Sequence, residues 1–451
     1  MKSSIPPDQL SAILEPLARA NARFAEGYPG ESPRRQPVHT VYGGAHLFRA
    51  DTAQRLGERA RAALEEYVPD PHTMADVFGL DPDGSLRARL HERVRHKLAT
   101  EPVEDFRLDF EDGYGPRPDD EEDACAIAAA DETARGYREG TLPPFLGLRI
   151  KPLFDETVRR AVRTLDLYVT RLLEGTDGAL PEGFVVTLPK IVSVEQVQAG
   201  IGALAALERS LGLDDGLLRV ELMFETTQSI VGPDGRCAVL ELVNACEGRC
   251  RGAHFGVYDY TASCSVTAQH QEMRHPACDF ARHLMQVSLT GTGVTVSDGA
   301  TNILPVPLHR AAGEASLTAE QRRANRDAVH AAMRAAYADT RHSLRRAIWQ
   351  GWDLHPAQLV PRYVAVTSFF LEGLEAASVR LRNFVDQAAQ ATLVGDVFDD
   401  AATGQGLLNF FLRGLACGAI TEAEATATGL TIAEIRSRSF LTILDGRRKR
   451  K

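Results

Sequence analysis

Two hydrophobic periods alternate along this chain. Short apolar runs at 37–44 (PVHTVYGG), 105–112 (DFRLDFED), 145–152 (FLGLRIKP), 184–191 (FVVTLPKI), 218–226 (LRVELMFET), 251–260 (RGAHFGVYDY), 293–299 (GVTVSDG) and 352–356 (WDLHP) read as strands. Between them lie segments with helical spacing. In DETVRRAVRTLDLYVTRLLEG, Val158, Val162, Leu165 and Val169 share one face, and Ser193 with Gln196 reads as a capping box opening the next helix. Eight strands separated mostly by helices, with no run of hairpins, predict βα repeats around a parallel sheet. From the second strand to the sixth the repeat is about 33 to 40 residues, one βα unit with its loops. The expected fold is therefore α/β, a closed (β/α)8 barrel. An open doubly wound sheet is the alternative, disfavoured because no G-x-G-x-x-G follows a strand.

Three regions break the rhythm. Residues 1–36 carry an amphipathic stretch, DQLSAILEPLARANARFAEG, expected to form a helical arm packed on the barrel, followed by a Pro/Arg-rich connector. Residues 37–394 form the barrel, with a helical insertion or lid at about 50–104, and QLVPRYVAVTSFFLEGLEAASVRLRNFVDQAAQ closes it as a helix. Residues 395–451 are expected to form a small helical appendage.

Composition narrows the function classes. A net charge of -10 argues against a general nucleic-acid or anionic-membrane surface. No apolar run approaches the ~20 residues of a membrane span, and MKSSIPPDQL lacks a signal-peptide apolar segment, so a cytoplasmic protein is expected. Seven scattered cysteines do not make a disulfide framework, and Cys246 and Cys250 have no second pair to complete a zinc site. Among 51 basic residues only six are lysines, and two of them, Lys151 and Lys190, sit just past strand-like runs.

In a closed parallel barrel the strand C-termini open on one face, where chemistry is assembled from several strands. The strand ends here contribute His39, then Asp109, Glu111 and Asp112, then Arg149 and Lys151, then Lys190, Glu225, Asp259, Asp298, Asp353 and His355. Each has a plain structural reading: Glu111 and Asp112 can favour the start of the next helix, and His355 before Pro356 can be a turn histidine. The set of seven carboxylates with several cations at one rim argues for a site. Glu225 and Asp259, from adjacent strands without clustered thiol or imidazole, suit a hard ion, Mg2+ or in its place Mn2+. Such an ion would stabilise an enolate, with Arg149 as a second positive group.

The phrases LDFEDGYG, GLRIK, TLPKI, MFET, HFGVYDY and WDLHPAQL, in this order, resemble the citrate lyase β-subunit / HpcH/HpaI aldolase superfamily. The resemblance spans roughly residues 37–375, and GVYDYTAS is also similar to malate synthase. It implies a (β/α)8 barrel, Mg2+, and cleavage or formation of a carbon–carbon bond beside a carboxylate or a coenzyme A thioester. It implies Glu225 and Asp259 as metal ligands and Arg149 on the substrate carbonyl or enolate oxygen. Glu111 and Asp112 would lie near the metal, His355 and Gln358 near the mouth, and Lys190 in the LPK phrase. It further implies a homo-oligomer.

The chain departs from that pattern in Gly113-Tyr114-Gly115, which puts an aromatic where substrate would lie, and in its extra length. The candidate catalytic residues are Arg149, Glu111, Asp112 and Lys190, and the candidate substrate contacts are Arg149, His39, Tyr114 and His355. The leading expectation is a metal-dependent carbon–carbon lyase or aldolase. The alternatives are phosphoenolpyruvate-type phosphoryl transfer or hydrolysis on the same barrel, and a non-catalytic relative that binds 2-oxo acids.

Overall fold

The computed structural model describes residues 4–446 apart from residues 31, 33, 81–83, 312–315, 387–391, 395–396, 400, 440–441 and 444–445. Helix α1 (Pro7–Gly27) precedes β1 (His39–Gly44), which is followed by α2 (Thr52–Tyr67), α3 (Pro71–Phe78) and α4 (Gly84–Thr100). The chain continues through β2 (Asp105–Asp109), α5 (Asp119–Glu139), β3 (Phe145–Arg149), α6 (Val158–Gly175), β4 (Val185–Leu188) and α7 (Val194–Leu211). Next come β5 (Arg219–Phe224), α8 (Thr227–Ile230), α9 (Val239–Asn244), β6 (Cys250–Phe255), α10 (Val257–Ser263) and α11 (Pro276–Leu289). Then follow β7 (Thr295–Ala300), α12 (Ala319–Arg345), β8 (Gln350–Asp353) and α13 (Leu359–Asp386). A short antiparallel pair, β9 (Thr392–Val394) and β10 (Val397–Asp399), leads to α14 (Ala401–Ala416), α15 (Glu422–Thr426) and α16 (Ile432–Arg436).

Strands β1 to β8 pair in parallel in sequence order, and β8 closes on β1, so the expected (β/α)8 barrel is present. Alternation along the strands sorts the side chains. Phe106 and Leu108 of β2, Leu146 and Leu148 of β3, and Leu222 and Phe224 of β5 are sealed in the hydrophobic core. Their neighbours Asp105, Arg107 and Asp109, with Arg149 and Glu221, pair with one another across the barrel. Barrel interiors are usually filled by branched apolar residues, whereas this one is largely ionic. Arg107 spans it, donating from Nε and Nη2 to Glu221 Oε2 at 3.1 and 2.7 Å and from Nη1 to Asp105. Gly147 leaves the room it needs, since a Cβ there would lie 2.9 Å from the Arg107 side chain.

Several expectations are corrected. The strand read through GVYDY stops at Phe255, and Val257–Ser263 turns into α10, so Asp259 stands on the first turn of a helix. The last strand stops at Asp353, and Pro356–Gln358 forms a 3-10 turn capped by His355. Ser193 caps α7 by accepting from Gln196 N, but Gln196 Oε1 accepts from Val192 N, one residue earlier than a capping box requires. Helix α1 forms, yet it does not pack on the barrel. None of its residues is buried, and Leu10, Ile13, Leu14, Leu17 and Phe24 along it are exposed.

The insertion after β1 comprises three helices, of which α2 and α4 pack on α13. The C-terminal segment is held to α4 by Arg89 and Arg93, whose guanidinium groups lie 2.5 and 2.6 Å from Glu424 Oε1. No helix among the described residues is long and apolar enough to cross a membrane.

Candidate active site

Five neighbouring elements deliver the polar cluster at the C-terminal rim: the ends of β2, β3, β4 and β5 and the first turn of α10. Arg149, the last residue of β3, is buried and lies level with Asp109 in the register of β2 and β3. Asp109 grips one edge of its guanidinium, accepting from Nε at 2.8 Å and from Nη2. It also accepts from the backbone N–H groups of Glu111 and Gly113 at 2.9 and 2.8 Å, which folds the loop after β2 back over the barrel. Burial works to raise the Asp109 pKa, but the Arg149 charge and these hydrogen bonds hold it below the ordinary carboxylate range. The other edge of Arg149 is held as well: Nη1 lies 3.0 Å from Glu111 Oε2, 3.7 Å from Asp112 Oδ2 and 3.7 Å from Met223 Sδ.

Beneath Arg149 lies the ring of Tyr42, 4.8 Å from the guanidinium carbon. Tyr42 is steadied in turn by Trp352, at a ring separation of 4.7 Å, and by His254, whose Nδ1 lies 3.4 Å from its hydroxyl. Trp352 Nε1 donates to the same Nδ1 at 2.9 Å, which assigns the His254 proton to Nε2, 3.3 Å from Glu221. The ionic interior therefore continues upward into the site.

Lys190 occupies the centre of the rim. Its ammonium lies 2.9 Å from Glu111 Oε1, 3.0 Å from Asp259 Oδ2 and 3.5 Å from Asp112 Oδ2, and its backbone N donates to Glu225 Oε1 at 2.7 Å. Burial works against the ammonium, and the surrounding carboxylates, Glu225 and Glu111 foremost, hold it well above the ordinary lysine value. Glu225 is buried beneath it. Burial, followed by the charges of Glu111 and Asp259, pushes the Glu225 carboxyl up to about 8 against the pull of Lys190 and Arg149. Gly256 makes room for this carboxyl, because a Cβ there would lie 2.5 Å from Glu225 Oε2. Exposure rises outward, from 1% for Glu225 to side-chain values of 45% for Asp259 and 61% for Asp112.

The structure thus brings together Arg149, Glu111, Asp112, Lys190, Glu225 and Asp259. It does not bring His39, Asp298 or Asp353 to them. His39 opens β1, so it stands at the opposite end of the strand from the rim. It faces outward, with Nδ1 3.1 Å from Asp353 and Nε2 accepting from Glu104 N. Asp353 pairs with Arg362 of α13, and Asp298 with Arg282 of α11 and Ser343 of α12. These three alternate to the helical side of the sheet.

Tyr114 is also diverted from the cluster. Its ring packs on Phe110 and His46, under the cations of Arg117 and Lys151. Lys151 itself bridges Glu122 and the Phe110 carbonyl. His355 caps the turn after β8 and lines a cavity of ≈ 290 Å3 together with Tyr42, Gly44 and Arg55 and Arg59 of α2. Burial, assisted by Arg59, lowers its pKa. Sequence reasoning named Asp109 only as a strand end and missed Tyr42, Arg107, Glu221 and His254. The available signal was the run of polar residues at alternate positions 105, 107 and 109.

The fold is a (β/α)8 barrel whose carboxylates and cations gather on the C-terminal rim. The chain belongs to the family described as a domain of unknown function (DUF6986), whose model matches residues 17–443. It is 32% identical over 155 residues to the L-malyl-CoA/beta-methylmalyl-CoA lyase of Haloarcula marismortui; the match spans 34% of this chain and 40% of that relative. A citrate lyase structure from Burkholderia xenovorans LB400 superposes with a TM-score of 0.53 at 16% identity, covering 88% of this chain and 99% of that one. A malate synthase structure from Haloferax volcanii gives a TM-score of 0.48 at 13% identity, covering 90% of this chain and 97% of that one. The superfamily resemblance read from the six phrases is borne out at the level of fold and relatives.

Proposed function

We propose that this protein is a Mg2+-dependent carbon–carbon lyase or aldolase acting on a 2-oxo or 3-hydroxy acid, taken free or as its coenzyme A thioester. The observation that carries the reading is the convergence of Glu225 and Asp259 on Lys190, which Glu111 joins to Arg149. Among the described residues no three His, Cys, Asp or Glu side chains are arranged to hold a metal. Mg2+, however, is commonly bound through one or two carboxylates with water and substrate completing its shell, and the donors here are all oxygen. The residues fit on those terms: Glu225 and Asp259 would hold the ion, with Glu111 and Asp112 beside it. When bound, the ion supplies positive charge where an enolate oxygen develops.

The chain's own groups account for the rest. In cleavage the substrate hydroxyl loses its proton, the electrons of the carbon–carbon bond pass to the neighbouring carbonyl oxygen, and the enolate is then protonated on carbon. Arg149 is fixed for this by Asp109 on one edge and Tyr42 on one face, and Nη1, which rests on Glu111, is the donor that would turn to that oxygen. Glu111, buried against Arg149 and Lys190, keeps both cations aimed into the mouth. The thioester form of the substrate is supported by the name of the Haloarcula relative. The exposed apolar stripe of α1 supports a homo-oligomer.

The test is release of pyruvate, glyoxylate or acetyl-CoA from a panel of hydroxy acids and their thioesters in the presence of Mg2+. Glu225→Gln should lower turnover by at least about 100-fold, as removal of a group acting on transition-state charge does, and should abolish Mg2+ binding. A variant that retains both activity and Mg2+ affinity overturns the assignment.

A further inference from the structure

Resting on the metal reading above, we propose that the Lys190 ammonium is a resident counter-cation, which holds the rim carboxylates together in the absence of a divalent ion and is displaced when one binds. Its place in the cluster carries the inference. One side chain reaches Glu111, Asp112 and Asp259 through Nζ, while the same residue's backbone N–H holds Glu225, so Lys190 touches all four carboxylates through two different atoms.

The backbone is shaped for this. Lys190 has φ 51, a left-handed conformation that few residues other than glycine adopt. The turn after Pro189 thereby presents the backbone N–H to Glu225 and sends the side chain to the other three carboxylates.

The two attachments differ in what a divalent ion would do to them. The backbone bond to Glu225 is fixed by the fold and can persist. The ammonium sits on a flexible four-carbon stem and is 25% exposed, with Asp112 and Asp259 more exposed still, so it has a solvent-side path out of the cluster. An arginine could not serve in this way, because its planar fork would lock onto one carboxylate pair, as Arg149 is locked onto Asp109.

Formal charge points the same way. Five carboxyl groups, those of Asp109, Glu111, Asp112, Glu225 and Asp259, face Arg149 and Lys190, so moving the ammonium away leaves more negative charge for the incoming ion to neutralise. Lys190 therefore competes with the metal for Glu111 and Asp259.

The experiment is Mn2+ binding to the full-length, substrate-free protein, with free Mn2+ followed by its EPR signal. Mg2+ competition and thermal melts with and without metal accompany it, for the wild type, Lys190→Met and Lys190→Gln. The expected result is that both variants bind Mn2+ about ten-fold more tightly than the wild type or better, as removal of one nearby like charge from a partly buried site requires. They should also melt lower without metal and gain more in melting temperature on its addition. Wild-type binding with equal or weaker binding in both variants overturns the counter-cation role and leaves the metal reading standing. No binding by any of the three proteins overturns the metal reading and this inference with it. A variant that is folded only with Mn2+ present counts in favour, because it shows the two cations doing the same work.

Discussion

Asp109→Asn separates the anchoring of Arg149 from the remainder of the site. In the wild type one buried carboxylate accepts four hydrogen bonds, two from Arg149 and two from the backbone of the following loop. The amide keeps the shape but loses the charge, and it turns an NH2 group toward donors that need an acceptor. Breaking a buried ion pair from one side costs about 3–5 kcal/mol, because the remaining charge is left uncompensated. Glu111, 3.0 Å from Nη1, retains part of the compensation and favours the lower end. For 451 residues the unfolding entropy at the midpoint is about 0.9 kcal/mol/K, so the loss corresponds to a drop of about 3–5 °C.

The pH dependence follows from the sign of the shift. The folded pKa of Asp109 lies below its unfolded value, so its contribution is present above the ordinary carboxylate range and lost as pH falls through the folded value. Differential scanning calorimetry should therefore show the gap between wild type and variant at neutral pH and a narrowing gap in acid. Turnover should fall together with stability, since Arg149 loses its fixed plane. Asp119→Asn, whose side chain is 85% exposed, is the control and should shift the midpoint negligibly. A drop below about 1 °C with unchanged turnover would refute the anchoring argument.

Two further outcomes follow. Gly256→Ala meets no backbone barrier at φ -94, but its methyl group would press on Glu225. Overpacking of this kind costs about 1–3 kcal/mol, and the displaced carboxylate should weaken Mg2+ binding measured by calorimetry; unchanged affinity would mean that Glu225 does not contact the ion. Removal of α1, which has no buried residue, should leave the melting temperature within about 1 °C of the full chain, as surface changes do. Its loss should also reduce the assembly size measured by light scattering, and a fall of several degrees in the separated subunit would show that the helix packs on the barrel after all.

The barrel was legible because strand and helix periods alternate eight times, and neither pattern depends on contacts distant in sequence. Six of the candidate residues meet at the rim because strand C-termini must face one way in a parallel sheet. What the list of strand ends lacked was the face on which each residue falls. Asp353 ends β8 and Asp298 lies two residues before the end of β7, but both side chains alternate to the helical side, where they meet Arg362 and Arg282. His39 was misplaced for a different reason: the strand begins there, two residues later than the apolar run starts. Helix α1 carries the periodicity of a packed helix, and amphipathicity cannot say whether the covering surface belongs to the same chain.

The ionic interior explains why so many charges can converge on the rim without dispersing. An apolar barrel would offer the buried part of Arg149 and Glu225 nothing but desolvation. Here Arg107, Glu221 and His254 form a second polar layer below, and Tyr42 connects it to the underside of Arg149. The arrangement fixes Arg149 on the β3 side and Glu225 on the β5 side, with Lys190 of the intervening loop between them. Two groups seated at strand ends thus flank one cation on a flexible stem. On the counter-cation proposal, Lys190 can leave the cluster without unpicking the ion pairs of Arg149 and Arg107 beneath it, so its loss should cost less stability than the loss of either arginine.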